Sequence, residues 1–430
     1  MACKKTAILG NGCTGKAVAT WLSERGSDFD VFDENGRNDF AEVAKDFDTV
    51  VCSPGFRKTH PWRSAAEAAG CRCLGELELA RPHWKGKVIA VTGTNGKTSL
   101  VEFLAFALKR AGIDAHAVGN NGIPFIGICE TGTANSIAVC EVSSFQSESM
   151  TAFPIDILLW TNFAEDHIKY HGSLEAYLEA KRRLVDFAKV VFIGDDITRE
   201  SLYIHELQNV RHGQNGSIAR PEERGRQEPT DVGDLARTTR TQLENILTMS
   251  YPKDFWTDFR KETFDLAWNA WQELGLPLAT LMEAGEAFTF PPFRLEEHNV
   301  HGVRIFNDSK ATNFDALIAA LRNLDGSYWI GGGYDKGEDL ANIAPLLNQK
   351  VKKAYLVGDT AEKIAAVLDV PSVVLSRLEI AIEAALADAK PGETILFSPG
   401  YPSFDQFQNF EERGRFFNKC LNSCRFVLNK

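Results

Sequence analysis

Thr92-Gly93-Thr94-Asn95-Gly96-Lys97-Thr98 carries the residue types that hold a nucleotide phosphate. An apolar run at 88–91 leads in, and a helical pattern of Leu100, Val101, Leu104, Ala105, Leu108 and Ala111 leads out, with Gly112 as its stop. A strand, a Gly-rich loop, a lysine and a hydroxyl at a helix N-terminus form an anion cradle. Backbone N–H groups and the helix dipole face the anion, Lys97 reaches the terminal phosphates, and Thr98 can take a Mg²⁺. Gly93 stands closer to Gly96 than in G-x-x-x-x-G-K-[ST], so the loop reads as a shorter variant. A plain strand-to-helix turn would not require both Lys97 and Thr98 at these places.

Three further residues suit the same chemistry. Glu141 closes the apolar run 137–142, ahead of Ser143-Ser144-Phe145-Gln146. An acid at a strand's carboxyl end beside a phosphate loop suits Mg²⁺; a capping or salt-bridged acid is the equal alternative. His167 follows the run 155–161 in Asn162-Phe163-Ala164-Glu165-Asp166-His167 and is a metal ligand or general base only if its neighbours support it. Lys181 falls on the apolar stripe of a helix over 174–188, with Leu174, Tyr177, Leu178, Leu184 and Val185, while Glu175, Glu179, Arg182 and Arg183 lie off it. An interior lysine has its charged form disfavoured. The neutral amine can add carbon dioxide and become a carbamate, an anionic oxygen ligand for Mg²⁺. In an arbitrary helix a lysine that snorkels to the surface or pairs with an acid is the commoner outcome.

Near the N-terminus, Gly10-Asn11-Gly12-Cys13-Thr14-Gly15 is a G-x-G-x-x-G, and Asp33 ends the next strand pattern. Alone this reads as a dinucleotide fold, although any phosphate-bearing nucleotide can use such a turn. Ser53-Pro54-Gly55 is either a ligand-binding edge or a mere turn. Toward the C-terminus three polar loops follow strand patterns. They are 307–313 with Asp308 and Lys310, 331–337 with Lys336, and 398–403 ending in Ser403 and running on to Phe410. At the carboxyl ends of consecutive strands they make one rim, the usual place for ligands in open sheets.

Three blocks of strand and helix patterns must position these residues: 1–86, 87–292 and 293–430. Strands are expected at 6–9, 29–32 and 49–52, then at 137–142, 155–161 and 190–193, then at 303–306, 328–330, 354–357, 372–375 and 394–397. Helical patterns at 316–324 and 379–389 alternate with the last set, which predicts an α/β fold of mostly parallel sheets. Residues 195–240 are polar and carry no readable pattern. The aromatics Trp256, Phe259, Phe264, Trp268 and Trp271 read as a helix packed on the core, and Pro291-Pro292 as a hinge.

At 430 residues the chain exceeds one ordinary core, and its net charge of −11 disfavours nucleic acid as a partner. No uninterrupted apolar segment is long enough for membrane insertion, and the start MACKKTAILG reads as a strand rather than a signal peptide. The expected location is therefore cytoplasmic. Nine scattered cysteines fit free thiols; Cys71-x-Cys73 and Cys420-x-x-x-Cys424 have no companions for a zinc site.

Taken together the motifs resemble the Mur ligases of peptidoglycan synthesis. GNGCTG, SPGF, VTGTNGKT, GNNGIPF, CEVSSFQ, TNFAEDH, EAYLEAKRRL, NDSKATN, GGGYDKGEDL and DQFQNFEERG follow one another along nearly the whole chain. TGTNGKT marks the wider superfamily, which includes folylpolyglutamate synthases; NDSKATN and DQFQNFEERG are particular to the D-glutamate-adding member. The resemblance implies a Rossmann-like UDP-binding domain at 1–86, a central P-loop ATPase-type domain at 87–292 and a Rossmann-like D-glutamate-binding domain at 293–430. Cys13, Thr14, Asp33 and Ser53 would hold UDP rather than NAD, and Asn120 the muramoyl part. Gly93, Thr94, Asn95, Gly96, Lys97 and Thr98 would bind ATP, with Arg294 and Asp308 contacting it from the third domain. Thr98 and Glu141 would serve one Mg²⁺, and His167 and a carbamylated Lys181 a second. Lys310, Thr312, Lys336, Ser403 and Phe410 would position D-glutamate. The implied substrates are UDP-N-acetylmuramoyl-L-alanine, D-glutamate and ATP, joined through an acyl phosphate by a monomer, with Lys97, His167 and Lys181 as the catalytic residues. A sister ligase with another amino acid and a nucleotide-binding module without ligation are the alternatives. Three stretches depart from the family pattern. A His-Asn-x-x-Asn run near the adenine is replaced at 241–245, Phe293 stands where His is common before Arg294, and SPGYPS replaces an SPACAS type.

Overall fold

The computed structural model describes residues 5–164, 166–194, 210–212, 258–289, 291–322, 324–337 and 339–427. The replaced adenine run at 241–245 lies outside them. Two compact units divide the chain, Met1–Phe288 and Thr289–Lys430.

The first unit holds two sheets. One has β1 (Thr6–Leu9), β2 (Phe29–Phe32), β3 (Thr49–Cys52) and β4 (Arg72–Leu74), all parallel in the order β2-β1-β3-β4. The other has β5 (Lys87–Thr92), β6 (Ala115–Gly119), β7 (Ile137–Glu141), β8 (Ile155–Trp160), β9 (Ala188–Ile193) and β10 (Val210–His212), parallel in the order β10-β9-β8-β5-β7-β6. Continuous apolar runs account for this pairing: Val88, Ile89, Ala90 and Val91 are fully buried, as a strand covered on both faces must be. Because β5 lies between β7 and β8, the loops leaving all three strands emerge side by side. The helices α1 (Cys13–Glu24), α2 (Lys97–Arg110), α3 (Leu174–Asp186) and α4 (Asp258–Glu273) belong to this unit. In α4, Phe264 and Trp271 are buried in the core beside α2, with Trp268 packed at its margin, which is the helix expected from the aromatics. Trp256 is outside the described residues.

Two buried carboxylates fasten the first sheet's last helix, Glu76–Ala80, to loops of the second sheet. Glu76 accepts from Ile126 N at 2.6 Å. Glu78 accepts from Thr151 N, Thr151 Oγ1 and Ala152 N at 2.7–3.0 Å. Burial pushes the Glu76 carboxyl up to about 7.

The second unit holds β11 (Glu296–Val300), β12 (Val303–Asn307), β13 (Ser327–Gly331), β14 (Val351–Leu356), β15 (Ser372–Val374) and β16 (Thr394–Phe397), in the order β11-β12-β16-β13-β14-β15. β11 and β12 pair antiparallel and the rest are parallel. The helix α5 (Phe410–Val427) closes the unit. Among the described residues no helix is long and apolar enough to cross a membrane, and the described cysteines are free thiols.

Candidate active site

The phosphate loop leaves β5 through Gly93, whose φ of +138° and close neighbour both demand glycine: a Cβ would stand 2.0 Å from Thr161 Oγ1. Gly96, at φ +82°, turns the chain into α2. The loop after β8 holds it from outside. Thr161 Oγ1 donates to Asn95 O at 2.5 Å, Asn162 Oδ1 accepts from Asn95 N at 2.8 Å, and Asn162 O accepts from Thr94 N at 3.0 Å. Lys97 Nζ folds back over the loop, donating to Gly93 O at 2.9 Å and Thr94 O at 2.7 Å.

Glu141, 3% exposed, ends β7 beside that loop. Its Oε2 accepts from Thr98 Oγ1 at 2.9 Å and its Oε1 from Asn120 Nδ2 at 3.0 Å, so one carboxylate joins three of the expected site residues. Lys181 lies inside, 1% exposed, rather than snorkelling. Its Nζ donates to Gly93 O at 2.6 Å and stands 4.7 Å from the centre of the Tyr177 ring. Burial holds its ammonium well below the usual lysine range, the charge of Lys97 adds to this, and Asp166 and Glu141 oppose it. Lys97 and Lys181 thus converge on one carbonyl, and burial disfavours the charged form of Lys181.

His167 has a left-handed backbone, φ +56°, at the start of the turn Ile168–His171. Its Nδ1 is 3.5 Å from Asp166 Oδ1 and its ring packs on Phe145 at 4.7 Å. The sequence reading missed His171, four residues on, a spacing that offered the only signal. Its Nε2 lies 3.0 Å from Ser144 Oγ and its ring stacks on Phe145 at 8°. Burial pushes this imidazole down to about 4, so it is neutral. Among the described residues no cluster of three or more His, Cys, Asp or Glu forms a self-sufficient metal cage.

At the first sheet, Gly12 opens α1, with Cys13 exposed and Thr14 in its first turn. Asp33 accepts from Asn11 N at 2.9 Å and Asn35 N at 3.0 Å, which holds its carboxyl below the usual range. Ser53 Oγ is buried with no hydrogen-bond partner among the described residues. A recess of about 380 Å³, counting space open to solvent, brings Thr14 and Ser53 to face Phe145 and Gln146 of the short helix Ser144–Ser147 that follows β7.

In the second unit the three polar loops are knitted together. Gly332 N donates to Pro399 O, Tyr334 N to Pro402 O and Gly400 N to Ala311 O. Asp308 is buried, accepting from Ser398 Oγ at 2.8 Å and Leu295 N at 3.2 Å. Lys310 Nζ sits 3.8 Å over the Phe410 ring. Ser403 is buried, its carbonyl accepting from Gln406 N and Phe407 N, while Thr312 and Lys336 lie on the same set of loops. Arg294 shares an electrostatic contact with Asp308. The expected site residues therefore fall into a first-unit set, itself split in two around the recess, and a second-unit set.

A family model described as "Mur ligase middle domain" matches residues 91–235, and one described as "Mur ligase, glutamate ligase domain" matches 293–400. A protein of Aquifex aeolicus is 33% identical over 97% of this chain and 98% of its own length. The chain belongs to the Mur ligase family. The Aquifex relative is named UDP-N-acetylmuramoylalanine--D-glutamate ligase, as is one of Acidobacterium capsulatum, 30% identical over 96% of this chain and 95% of its own. Solved Mur ligase structures share the fold. UDP-N-acetylmuramate-alanine ligase from Thermotoga maritima matches with a TM-score of 0.56 at 16% identity, over 98% of this chain and 99% of its own. A pseudomurein peptide ligase type C from Methanothermus fervidus matches at 0.57 and 16%, over 92% and 96%.

Proposed function

We propose that this Mur ligase joins D-glutamate to UDP-N-acetylmuramoyl-L-alanine at the expense of ATP. The observation that carries the reading is the phosphate loop itself. Thr98 is tied to Glu141, and a buried Lys181 shares a loop carbonyl with Lys97, in a chain matched along nearly its whole length by relatives of that name. Functionally the chain divides into a UDP-binding segment at 1–86, an ATP-binding segment at 87–292 and a D-glutamate-binding segment at 293–430.

The substrate's terminal carboxylate attacks the γ-phosphorus of ATP, ADP leaves, and an acyl phosphate forms. The D-glutamate amine then attacks the acyl carbon and expels phosphate, giving up its proton. Lys97 exchanges the carbonyls of Gly93 and Thr94 for phosphate oxygens, aided by the N-terminal amides of α2. Asn120, held by Glu141, turns to the muramoyl group, and Cys13, Thr14, Asp33 and Ser53 take the UDP. Arg294 and Asp308 contact ATP; Lys310, Thr312, Lys336, Ser403 and Phe410 orient D-glutamate for attack.

The hydroxyl of Thr98 and the carboxylate of Glu141 are hard oxygen donors 2.9 Å apart, a pair that suits Mg²⁺ with nucleotide oxygens completing its shell. The Lys181 amine, its charged form disfavoured by burial, suits reaction with carbon dioxide, losing one proton to become a carbamate that, with His167, would hold a second Mg²⁺. When bound, Mg²⁺ supplies neutralisation of the charge that builds on the transferring phosphoryl group. The enzyme acts as a cytoplasmic monomer. Substrate labelled with ¹⁸O in its carboxylate tests the acyl phosphate: label must appear in released phosphate, and label confined to the amide product overturns it.

A further inference from the structure

Arg63 is one of the most deeply buried cations in the first unit, on the helix Pro61–Ala68 with 5% of its surface exposed. Its one hydrogen bond among the described residues is a long one, from Nη1 to Phe56 O at 3.5 Å. Its Nε is buried and has no partner, and no ion pair to it exists among the described residues. Arg413 in the second unit is equally buried and makes the contrast: its nitrogens donate to Ser309 Oγ, Ser309 O and Tyr401 O at 2.8–3.1 Å. A guanidinium that serves packing alone is saturated in this way, because a buried cation without partners destabilises the fold.

Arg63 lines the recess that also holds Thr14 and Ser53. Ser53 Oγ is a second buried polar atom without a partner among the described residues. The glycine turn passes directly over it: Gly10 has φ +103°, and a Cβ there would stand 2.7 Å from Ser53 Oγ. The recess wall has one carboxylate, Glu76, whose Oε1 is engaged by Ile126 N at 2.6 Å. The recess therefore gathers an unsatisfied planar cation and an unsatisfied hydroxyl beside the first turn of α1, with no paired counter-charge. The missing partner is an anion with several oxygens that a guanidinium fork can grip.

We propose that Arg63 binds the diphosphate of the uridine nucleotide substrate, together with Ser53. This rests on the ligase reading above and adds a residue to its nucleotide site.

Calorimetry with UDP, uridine and UDP-N-acetylmuramoyl-L-alanine tests it on the wild type, Arg63→Met and Arg63→Lys, alongside thermal unfolding without ligand. Arg63→Met is expected to weaken UDP and the full substrate about 10- to 100-fold, and uridine less than about twofold. Arg63→Lys recovers part of the loss. The ligand-free melting temperature of Arg63→Met stays level or rises, since an uncompensated cation has gone. Equal UDP affinity in the wild type and both variants overturns the proposal and leaves the ligase reading standing. Equal losses for uridine and UDP with a lowered melting temperature also overturn it, assigning Arg63 to packing. A wild type that binds neither UDP nor the full substrate removes the ligase reading itself.

Discussion

Asp308→Asn separates stability from activity with a sign and a size. Asp308 follows β12 and is buried, held by Ser398 Oγ and Leu295 N. Burial is the largest influence and pushes its carboxyl from 3.8 up to about 7, against the pull of those hydrogen bonds and of the Arg294 and Arg413 charges. The unfolded chain therefore loses this proton first as pH rises. Stability is unaffected below about pH 4, falls between about 4 and 7, and carries the full penalty above. A gap of about three pH units corresponds to ~4 kcal/mol. Asparagine has no charge to desolvate, keeps an acceptor for Leu295 N and can donate to Ser398 Oγ. The variant should exceed the wild type by ~1.5 kcal/mol at pH 5 and ~4 kcal/mol at pH 8. Denaturant-dependent hydrogen exchange, read on peptides of β13 and β16, localises the effect to the second unit. Turnover at pH 8 should fall in the same variant, because Asp308 is assigned to ATP. A stability difference that does not change between pH 5 and pH 8, or a variant weaker than wild type at pH 8, refutes the reasoning.

Other substitutions probe the first unit. Lys181→Ala should abolish ligation, and short carboxylic acids should partly restore it; full activity without them contradicts the carbamate. Gly93→Ala places a Cβ 2.0 Å from Thr161 Oγ1 at φ +138°, which should cost about 2 kcal/mol or more and remove ATP binding; an unchanged melting temperature and ATP affinity would refute the close approach. Glu141→Ala should raise the Mg²⁺ concentration for half-maximal turnover at least about tenfold, and an unaltered Mg²⁺ dependence would dissociate Glu141 from the metal.

Short, mostly apolar strand patterns were legible in the sequence. The expectations at 6–9, 29–32, 49–52 and 394–397 coincide with β1, β2, β3 and β16, and those at 137–142 and 155–161 overrun β7 and β8 by one residue. β14 starts at Val351, three residues before the expected 354, because Lys352 and Lys353 carry its pattern into charged side chains. β4, β6, β10 and β11 were not anticipated; β10 lies in the polar stretch 195–240. β4 has three residues, His116 interrupts β6, and β11 is a charged antiparallel edge with Glu296, Glu297 and His298. Within the candidate site, the interior position of Lys181 followed from helical periodicity alone. The partners of Glu76 and Glu78 did not, since GELELA resembles a solvated acidic helix and the carboxylates meet backbone N–H groups some 50 and 73 residues away. Arg63 likewise reads as an exposed residue in PWRSAAEA; its missing partners exist only as a fact of packing.

Phosphate release from ATP and the mass of the product, measured with Mg²⁺ and UDP-N-acetylmuramoyl-L-alanine across a panel of D- and L-amino acids, test the D-glutamate ligase assignment most directly. Release with D-glutamate alone, and a product heavier by one glutamyl residue, is the predicted result. Product formation with a different amino acid and none with D-glutamate would contradict it, as would ATP binding without release in every mixture.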